Sequence, residues 1–330
     1  MSSPIKADET VHLFPTIAHR SVRGWQARIH AWVHEDGVLS GAMLSSLRRT
    51  IGLAGVRGDR EIFRRRGAHF LVDNERDKAL EVTINGETFV LPSTGANGHT
   101  ALTVTLPPET PAGHHTMQVN TEDGRTFSGA LHLVPPEGIS VISDIDDTIK
   151  ITDVHSRREM LANTFFRPFA PAPGMAAVYQ RLAAEGARFH YVSSSPWQLY
   201  PELYPWLSEA GYPAGSMHLK LFRAKDRSLL NLLKPGTETK PLQIAPLLQA
   251  LPQRQFILIG DSGEQDPEVY GALARRHDQI ACIYIRNVSG ESREDPRIQS
   301  AFAELHPERW ALFTDPEQIG TLKMDPCSRP

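Results

Sequence analysis

Apolar and polar residues alternate in short runs between residues 24 and 136, as in ARIHAWVH, LEVTING and TALTVTLP. Turn signals separate these runs, at Asn85-Gly86, Asn97-Gly98, Pro111-Ala112-Gly113 and Asp123-Gly124. A period of two between such turns is typical of antiparallel strands with one buried face. This part of the chain therefore predicts a small β-sandwich.

A second pattern begins after LVPPEG at residues 133 to 138, where two prolines discourage both helix and central strand. Continuous apolar runs follow: ISVIS, FHYVS, FILIG and CIYI. They alternate with helical segments near 174 to 186, 198 to 210, 242 to 251 and 267 to 277. Apolar strands separated by helices predict a parallel sheet covered on both faces. We therefore expect a β-rich domain at 1–136 and an α/β domain at 137–330.

Residues 39 to 66 break the first pattern, because they are helical in character on both sides of a glycine-rich stretch. The segment is basic, with arginines at 48, 49, 57, 60, 64, 65 and 66 against Asp59 and Glu61. Such a run is most simply a solvated face. It is also suited to anionic lipid head groups, so peripheral contact with a membrane is the alternative.

Composition narrows the function classes. A formal net charge of -3 over 330 residues gives no general basis for binding nucleic acid. Two cysteines, Cys282 and Cys327, indicate no disulfide framework. The first residues, MSSPIKADETVHLFP, lack the features of a secretory signal, and the apolar runs are far shorter than a membrane span. We expect a cytoplasmic protein.

Acidic residues gather where the predicted parallel strands end: the four ends are SDIDD, SSSPW, GDSGEQD and RNVSG. Ligands of such sheets bind beyond the carboxyl ends of the strands. Asp144 and Asp146 are two residues apart in an extended segment, so both face one side, and Asp261 and Asp266 follow another strand. Several hard oxygen ligands suit Mg²⁺. The structural alternative is that Asp266, before Pro267, is a helix N-cap and that Asp147 and Thr148 begin a turn.

These motifs carry a family resemblance. The DxDxT of Asp144 to Thr148, a hydroxyl after FHYV, Lys240 and the acids of GDSGEQD resemble, in that order, the four motifs of the haloacid dehalogenase-like (HAD) hydrolase superfamily. SDIDDTIKITDV, NTFFRPFAPAPGM, YVSSSPWQLYP and FILIGDSGEQDPEVY resemble the catalytic domain of the actin-patch-associated phosphatidate phosphatases and their bacterial relatives, over about residues 138 to 290. The resemblance implies a HAD-like three-layer Rossmannoid parallel sheet with a minimal cap.

The resemblance also implies a role for each motif residue. Asp144 would be the nucleophile that forms an aspartyl phosphate, and Asp146 would be first general acid and then base. Lys240 would neutralise the phosphoaspartate, with Lys234 as the rival candidate, and Thr239 stands where relatives often have histidine. Phosphate would be bound by Thr148, Ser193 and Ser194, with Ser195 close by. Mg²⁺ would be held by Asp144, Asp261, Asp266 and the backbone carbonyl of Asp146.

The substrate is less constrained. Insertions at 149 to 173 and 196 to 239 are too short for a large lid. They hold aromatic and basic residues: Phe165, Phe166, Arg167, Phe169, Trp197, Tyr200, Tyr204, Trp206, Lys220, Arg223, Lys225 and Arg227. These suit a membrane interface, although Tyr200, Tyr204 and Leu207 have the helical spacing of a core. His99, His114 and His115 are expected at the surface.

Three functions follow from these observations. The first is an Mg²⁺-dependent phosphatidate phosphatase that yields diacylglycerol and phosphate. The second is a HAD phosphatase that acts on another phosphomonoester, either soluble or protein-bound. The third is a non-catalytic protein that binds lipid or a partner. Retention of both DxDxT and GDSGEQD argues against the third.

Overall fold

The computed structural model describes residues 3–35, 40–50, 53, 55–220 and 239–320. The part of the chain up to residue 136, called the first region below, contains nine described strands: β1 (Glu9–Leu13), β2 (Thr16–Ser21), β3 (Gly24–Glu35), β4 (Asp73–Asn74), β5 (Leu80–Ile84), β6 (Glu87–Leu91), β7 (His99–Leu106), β8 (Gly113–Asn120) and β9 (Thr126–Leu133). Asn85 and Gly86 both have positive φ in the tight turn between β5 and β6, as the sequence predicted.

Strand β3 organises this region because it is long enough to pair along both edges. One edge pairs with β7 and then β4, and the other pairs with β2 and then β1. All strand pairs of this region are antiparallel except β2 with β9. Hydrogen bonds thus join the nine strands in one sheet that branches at β3, and its inward side chains share one core. The predicted β-sandwich is not confirmed.

The second region is a mixed α/β structure built on six parallel strands: β10 (Ile139–Asp144), β13 (Arg188–Pro196), β14 (Gly215–Lys220), β15 (Gln255–Asp261), β16 (Ile280–Arg286) and β17 (Trp310–Phe313). Their order is β14-β13-β10-β15-β16-β17. The predicted strands are β10, β13, β15 and β16, which form the centre of the sheet. The sequence analysis missed the two edge strands, β14 and β17.

Helices cover both faces of the parallel sheet. Helices α4 (Met175–Ala184) and α5 (Tyr200–Glu209) pack on one face, and α6 (Thr239–Ala250), α7 (Asp266–Ala274) and α8 (Pro296–Ala301) pack on the other. The four predicted helical segments correspond to α4, α5, α6 and α7. Side chains of β10 alternate between the two cores, since Val141 faces α4 and α5 while Ile142 faces α6 and α7.

The helical segment of the first region packs on the second region. Helices α1 (Gly41–Thr50) and α2 (Arg60–Ala68) lie between β3 and β4 in the chain. Together with α3 (Arg157–Phe165) they form a separate hydrophobic cluster, in which Phe63 stacks on Phe166 with ring centroids 4.9 Å apart. Helix α3 belongs to the first insertion, which also contains the short strands β11 (Lys150–Ile151) and β12 (Ala170–Pro171). One small core thus holds the helical segment of the first region against the first insertion.

The aromatic residues of the insertions are mostly interior. Phe165, Phe166, Trp197, Tyr200 and Trp206 are each at most 8% exposed, and Tyr204 and Phe169 are half-buried. The structure therefore favours the core alternative over a membrane-facing surface for these rings, because packing between the two regions and around α5 covers them. No helix within the described ranges is both long and apolar enough to span a bilayer.

Candidate active site

Three of the predicted acids meet at the carboxyl edge of the parallel sheet. Asp144 ends β10, Asp261 ends the neighbouring strand β15, and Asp266 begins α7. Each offers a carboxylate oxygen that lies within 4.8 Å of those of the other two. All three residues are at most 1% exposed. Adjacent parallel strands thus bring together carboxylates that are more than one hundred residues apart in the chain.

Lys240 lies among these acids, in the first turn of α6. Its ammonium is 2.9 Å from Asp144 Oδ1 and 3.0 Å from Glu264 Oε2, and it also donates to Asp266 Oδ1. Burial opposes its charged form, but the surrounding carboxylates raise the pKa of Lys240 well above its usual value. Burial raises the pKa of Asp144 and of Asp261. One ammonium therefore faces four carboxyl groups, which leaves the cluster short of positive charge.

Glu264 was missed by the sequence analysis, although it lies within the quoted GDSGEQD. Its side chain projects into the same cluster, and burial raises its pKa above the usual value. The signal that would have found it is its position between Asp261 and Asp266 in a loop that follows a strand end.

Asp266 does not cap α7. The residue before the helix is Gln265, and Asp266 is the first helical residue, so the N-cap alternative is wrong. Its Oδ2 instead accepts a hydrogen bond from the backbone N–H of Asp261 at 3.2 Å. A Cβ on Gly260 would lie 2.3 Å from the same oxygen. Glycine at 260 thus leaves room for Asp266 to reach the strand end.

Asp146 has a different set of partners. Its Oδ1 is 2.7 Å from the ammonium of Lys150 and accepts from the hydroxyl of Thr152 at 2.8 Å. Its Oδ2 accepts from the hydroxyls of Ser193 and Ser195, at 3.0 and 2.9 Å. Burial works against ionisation, but Lys150 and these hydrogen bonds lower the pKa of Asp146 to about 2. Lys150 was not singled out from the sequence, although it lies four residues after Asp146.

Asp147 holds the conformation of the loop that follows β10. Its φ of 53° is in the left-handed region, and its carboxylate accepts hydrogen bonds from three consecutive backbone N–H groups, those of Thr152, Asp153 and Val154, at 2.6 to 2.8 Å. This matches the turn-forming alternative for Asp147. Thr148 differs, because it is fully buried and its hydroxyl donates to Asp144 Oδ2 at 3.1 Å. Asp153 is exposed.

Two of the predicted site residues carry a buried polar atom without a hydrogen-bond partner in the described structure: Ser194 Oγ and Asp261 Oδ2. The other oxygen of Asp261 accepts from the backbone N–H groups of Gly263 and Glu264, at 2.7 and 3.1 Å. Buried polar atoms are nearly always paired, so unpaired ones indicate a missing ligand. A carboxylate and a hydroxyl are suited to a cation and a phosphate respectively.

The remaining predicted residues are dispersed. Arg66 is buried, whereas Arg49, Arg57, Arg60, Arg64 and Arg65 are exposed around α1 and α2. Lys234, Arg223, Lys225, Arg227 and Cys327 lie outside the described residues. His114 is exposed as expected, whereas His99 is half-buried: its ring stacks on Trp32 with centroids 5.7 Å apart and is hydrogen-bonded to His30 at 2.9 Å.

The candidate active site lies within a segment of the chain that matches the model of a protein family. Residues 139–287 match the family model described as "Phosphatidate phosphatase APP1, catalytic domain". The sequence analysis assigned the resemblance to about residues 138 to 290, so the two agree. The specific relation to bacterial and actin-patch-associated members stays a prediction.

Two curated yeast proteins are similar to the chain. It is 34% identical over 225 residues to "Phosphatidate phosphatase APP1" of Saccharomyces cerevisiae, covering 67% of this chain and 35% of the relative. It is 31% identical over 182 residues to an uncharacterized protein of Schizosaccharomyces pombe, covering 53% and 30%. The chain thus spans about a third of the length of these relatives.

A solved structure gives a weaker similarity. The D,D-heptose 1,7-bisphosphate phosphatase from B. bronchiseptica, complexed with magnesium and phosphate, is 12% identical and covers 55% of this chain and 98% of that chain. The TM-score is 0.32, which is too low to transfer either fold or function.

Proposed function

We propose that the chain is a phosphoric monoester hydrolase, and specifically an Mg²⁺-dependent phosphatidate phosphatase that produces diacylglycerol and phosphate. The observation that carries the proposal is the contact of Asp144 with Lys240 beside Asp261 and Asp266, inside the segment that matches the phosphatidate phosphatase family. In this assignment residues 137–330 form a HAD-like catalytic unit with a small cap, and residues 1–136 form an accessory unit.

Asp144 is the nucleophile in this proposal. Thr148 holds one carboxylate oxygen and Lys240 the other, so the carboxylate has a defined orientation before the substrate arrives. Attack on phosphorus forms the Asp144–phosphorus bond and breaks the bond to the alcohol oxygen, and water then hydrolyses the aspartyl phosphate. Lys240 lowers the energy of both steps because its charge lies beside the carboxylate that becomes phosphorylated.

Asp146 transfers the proton. The ionised state favoured by Lys150 suits the second step, in which Asp146 accepts a proton from the attacking water. The first step requires the acid form, and the negative charge of a bound phosphate raises the pKa of a nearby carboxyl. Four hydrogen-bonding and ionic partners hold the carboxylate in place for both transfers.

The residues fit a divalent cation. Asp144, Asp261 and Asp266, with the backbone carbonyl of Asp146, are the proposed ligands of Mg²⁺, and the unpaired Oδ2 of Asp261 supports this set. When bound, Mg²⁺ would offset the negative charge of the phosphate and of the clustered carboxylates. Among the three candidate phosphate ligands, Ser194 has the hydroxyl without a partner, whereas those of Thr148 and Ser193 already bind Asp144 and Asp146.

We place the protein in the cytoplasm, with peripheral contact to anionic membranes through the exposed arginines of α1 and α2. Cations of this kind attract anionic head groups and lose that attraction at high salt. Flotation with vesicles that contain or lack phosphatidylserine, at low and high salt, tests the contact. Flotation that is independent of anionic lipid would contradict it.

The decisive experiment on the chemistry compares Asp144→Asn with Asp153→Asn in Mg²⁺. Asp153 belongs to the same sequence stretch but is exposed, and asparagine tolerates its left-handed backbone. Asp144→Asn should abolish phosphate release, while Asp153→Asn should retain wild-type rates. Substantial turnover by Asp144→Asn would refute the nucleophile.

A substrate panel separates the alternatives. Phosphatidate in mixed micelles, lysophosphatidate, sugar phosphates and a phosphotyrosine peptide would be compared at equal concentration. Much faster turnover of a soluble ester or the peptide would favour a phosphatase for another phosphomonoester. Lipid binding without any turnover would favour the non-catalytic alternative.

A further inference from the structure

An open groove with a volume of about 650 Å³ lies between the first region and helix α6. This volume is within the roughly 300–1,000 Å³ that is typical of small-molecule sites. The walls include large apolar side chains from both regions: Phe14, Ile17, Trp197, Leu219, Leu242 and Leu247. Exposed residues such as Arg28 and Thr103 form part of its rim.

One end of the groove adjoins the candidate active site. Trp197 follows the serines at the end of β13, and its ring packs on Phe14 with centroids 4.1 Å apart. Gln243, in the groove wall, donates to the backbone carbonyl of Ser193 at 3.2 Å, and the hydroxyl of Ser193 donates to Asp146 at 3.0 Å. The groove is thus two hydrogen bonds away from Asp146.

Helix α6 connects the two sites. Lys240 is in its first turn, among the acids, and Gln243 is one turn later. Leu242, Pro246 and Ala250 follow at intervals of four, so they share a face that lines the groove. The opposite face, with Ile244 and Leu248, already packs in the core of the parallel sheet. Leu242 is 75% exposed, so α6 presents a second apolar face that the described residues leave open.

Polar side chains such as Gln26, Arg28 and His218 also line the groove, and two of its lining residues carry unpaired polar atoms. Trp197 Nε1, a donor, and Gln243 Oε1, an acceptor, are buried and without partners in the described part of the chain. A groove with large apolar side chains in its walls, and with unpaired polar atoms on Trp197 and Gln243, matches a ligand whose head is polar and whose remainder is a hydrocarbon.

We propose that this groove binds an acyl chain of the phosphomonoester whose phosphate reacts at Asp144. The inference rests on the proposed function, since it assigns the hydrocarbon part of that substrate to a site. The argument for this occupant is continuity with the proposed phosphate site: Gln243 of the groove wall donates to the backbone carbonyl of Ser193, and the hydroxyl of Ser193 donates to Asp146. An acyl chain that leaves a bilayer loses its contacts with neighbouring hydrocarbon chains. The apolar walls of the groove would provide contacts of the same kind.

The test uses lysophosphatidates of increasing chain length, each kept below its critical micelle concentration so that no lipid surface is present. Each methylene that enters the groove should lower KM by up to about fourfold, until the groove is filled. Leu242→Gln should flatten this dependence, and the variant should fold because the residue is exposed. Val90→Gln, which changes an apolar residue that is 65% exposed outside the groove, is the matched control and should keep the wild-type dependence.

The outcomes separate this inference from the proposed function. A KM that does not depend on chain length, with rapid hydrolysis of phosphatidate in micelles, would refute the groove and leave the phosphatase assignment intact. An unchanged dependence in Leu242→Gln would also refute it. Turnover of soluble esters without turnover of any lysophosphatidate or phosphatidate would refute the proposed substrate, and the groove assignment with it.

Discussion

Replacement of Arg66 by methionine should destabilise the protein far more than the same change at its neighbour Arg65. Both guanidinium groups contact Glu202 Oε2, at 3.4 Å from Arg66 and 2.8 Å from Arg65. Their environments differ, because the side chain of Arg66 is 3% exposed and that of Arg65 is 59% exposed. Burial lowers the pKa of Arg66 to about 10. The two variants therefore compare the loss of a buried cation with the loss of an exposed cation, when both cations contact the same carboxylate.

The magnitude follows from the partners that Arg66 would lose. It donates to the backbone carbonyls of Thr164 and Arg167, at 2.7 and 2.8 Å, where α3 ends, and it lies 3.5 Å from the ring centre of Phe169. Each charge-assisted hydrogen bond contributes about 1.5–3 kcal/mol to stability. In the wild type, the cost of removing the arginine charge from water on folding offsets part of this sum, and methionine avoids that cost. We expect a loss of about 3–5 kcal/mol for Arg66→Met. An exposed ion pair contributes about 0.2–1 kcal/mol, which is the loss expected for Arg65→Met.

The assay is urea denaturation of both variants at pH 7, followed by circular dichroism, with the free energy of unfolding compared with that of the wild type. Methionine keeps most of the aliphatic contact, so the difference reports on the charge and its hydrogen bonds. Equal losses in the two variants, or a loss below 1 kcal/mol in Arg66→Met, would refute the reasoning.

The other predictions concern the site and the pH response. Asp146→Asn should lower kcat at least a hundredfold and prolong the lifetime of a trapped aspartyl phosphate; normal kcat in rapid-quench assays would contradict its role. Mg²⁺ should raise the Tm of the EDTA-treated wild type and have little effect on Asp261→Asn, in scans by differential scanning fluorimetry; equal shifts would argue against Asp261 as a ligand. Burial lowers the pKa of His30 to about 3 and of His99 to about 4, below the usual 6.5. The folded protein thus binds fewer protons than the unfolded chain in this range, so stability present above pH 6.5 should fall as the pH drops towards 4. The fall, measured by urea denaturation, should be smaller in His30→Gln and unchanged in the exposed control His114→Gln; the opposite order would exclude the histidines as its source.

The central sheet and the acids at its edge were predictable because their signals are local. An apolar run followed by Asp144 or Asp261 indicates a strand end, and the rule that such ends meet in a parallel sheet supplies the convergence. Lys150 and Glu264 were missed because a lysine or glutamate in a loop is ordinarily solvated, and only the three-dimensional structure shows that they face Asp146 and Lys240.

Packing between distant segments was not predictable from the sequence. His99 is in a run of turn residues, and nothing local indicates that Trp32 and His30 will cover it. The edge strand β14 was missed because polar residues interrupt its apolar ones, and β17 because it has only four residues. The aromatic residues of the insertions were compatible with both an interface and a core. The burial of Phe165 and Phe166 depends on α1 and α2, which lie about one hundred residues earlier, whereas Trp197, Tyr200 and Trp206 pack in the core on one face of the parallel sheet.

The cluster in which Phe63 stacks on Phe166 affects how the protein can be handled and how it can evolve. The proline-rich segment after β9 invites cloning of the second region alone, yet such a fragment would display the bare rings of Phe165 and Phe166, and the complementary fragment would display those of α1 and α2. Each of the two fragments would expose an apolar surface, which favours aggregation. Recombination of the second region with a different N-terminal partner would therefore need to include residues 41–68, or to replace the apolar residues of α3 that contact them with polar ones.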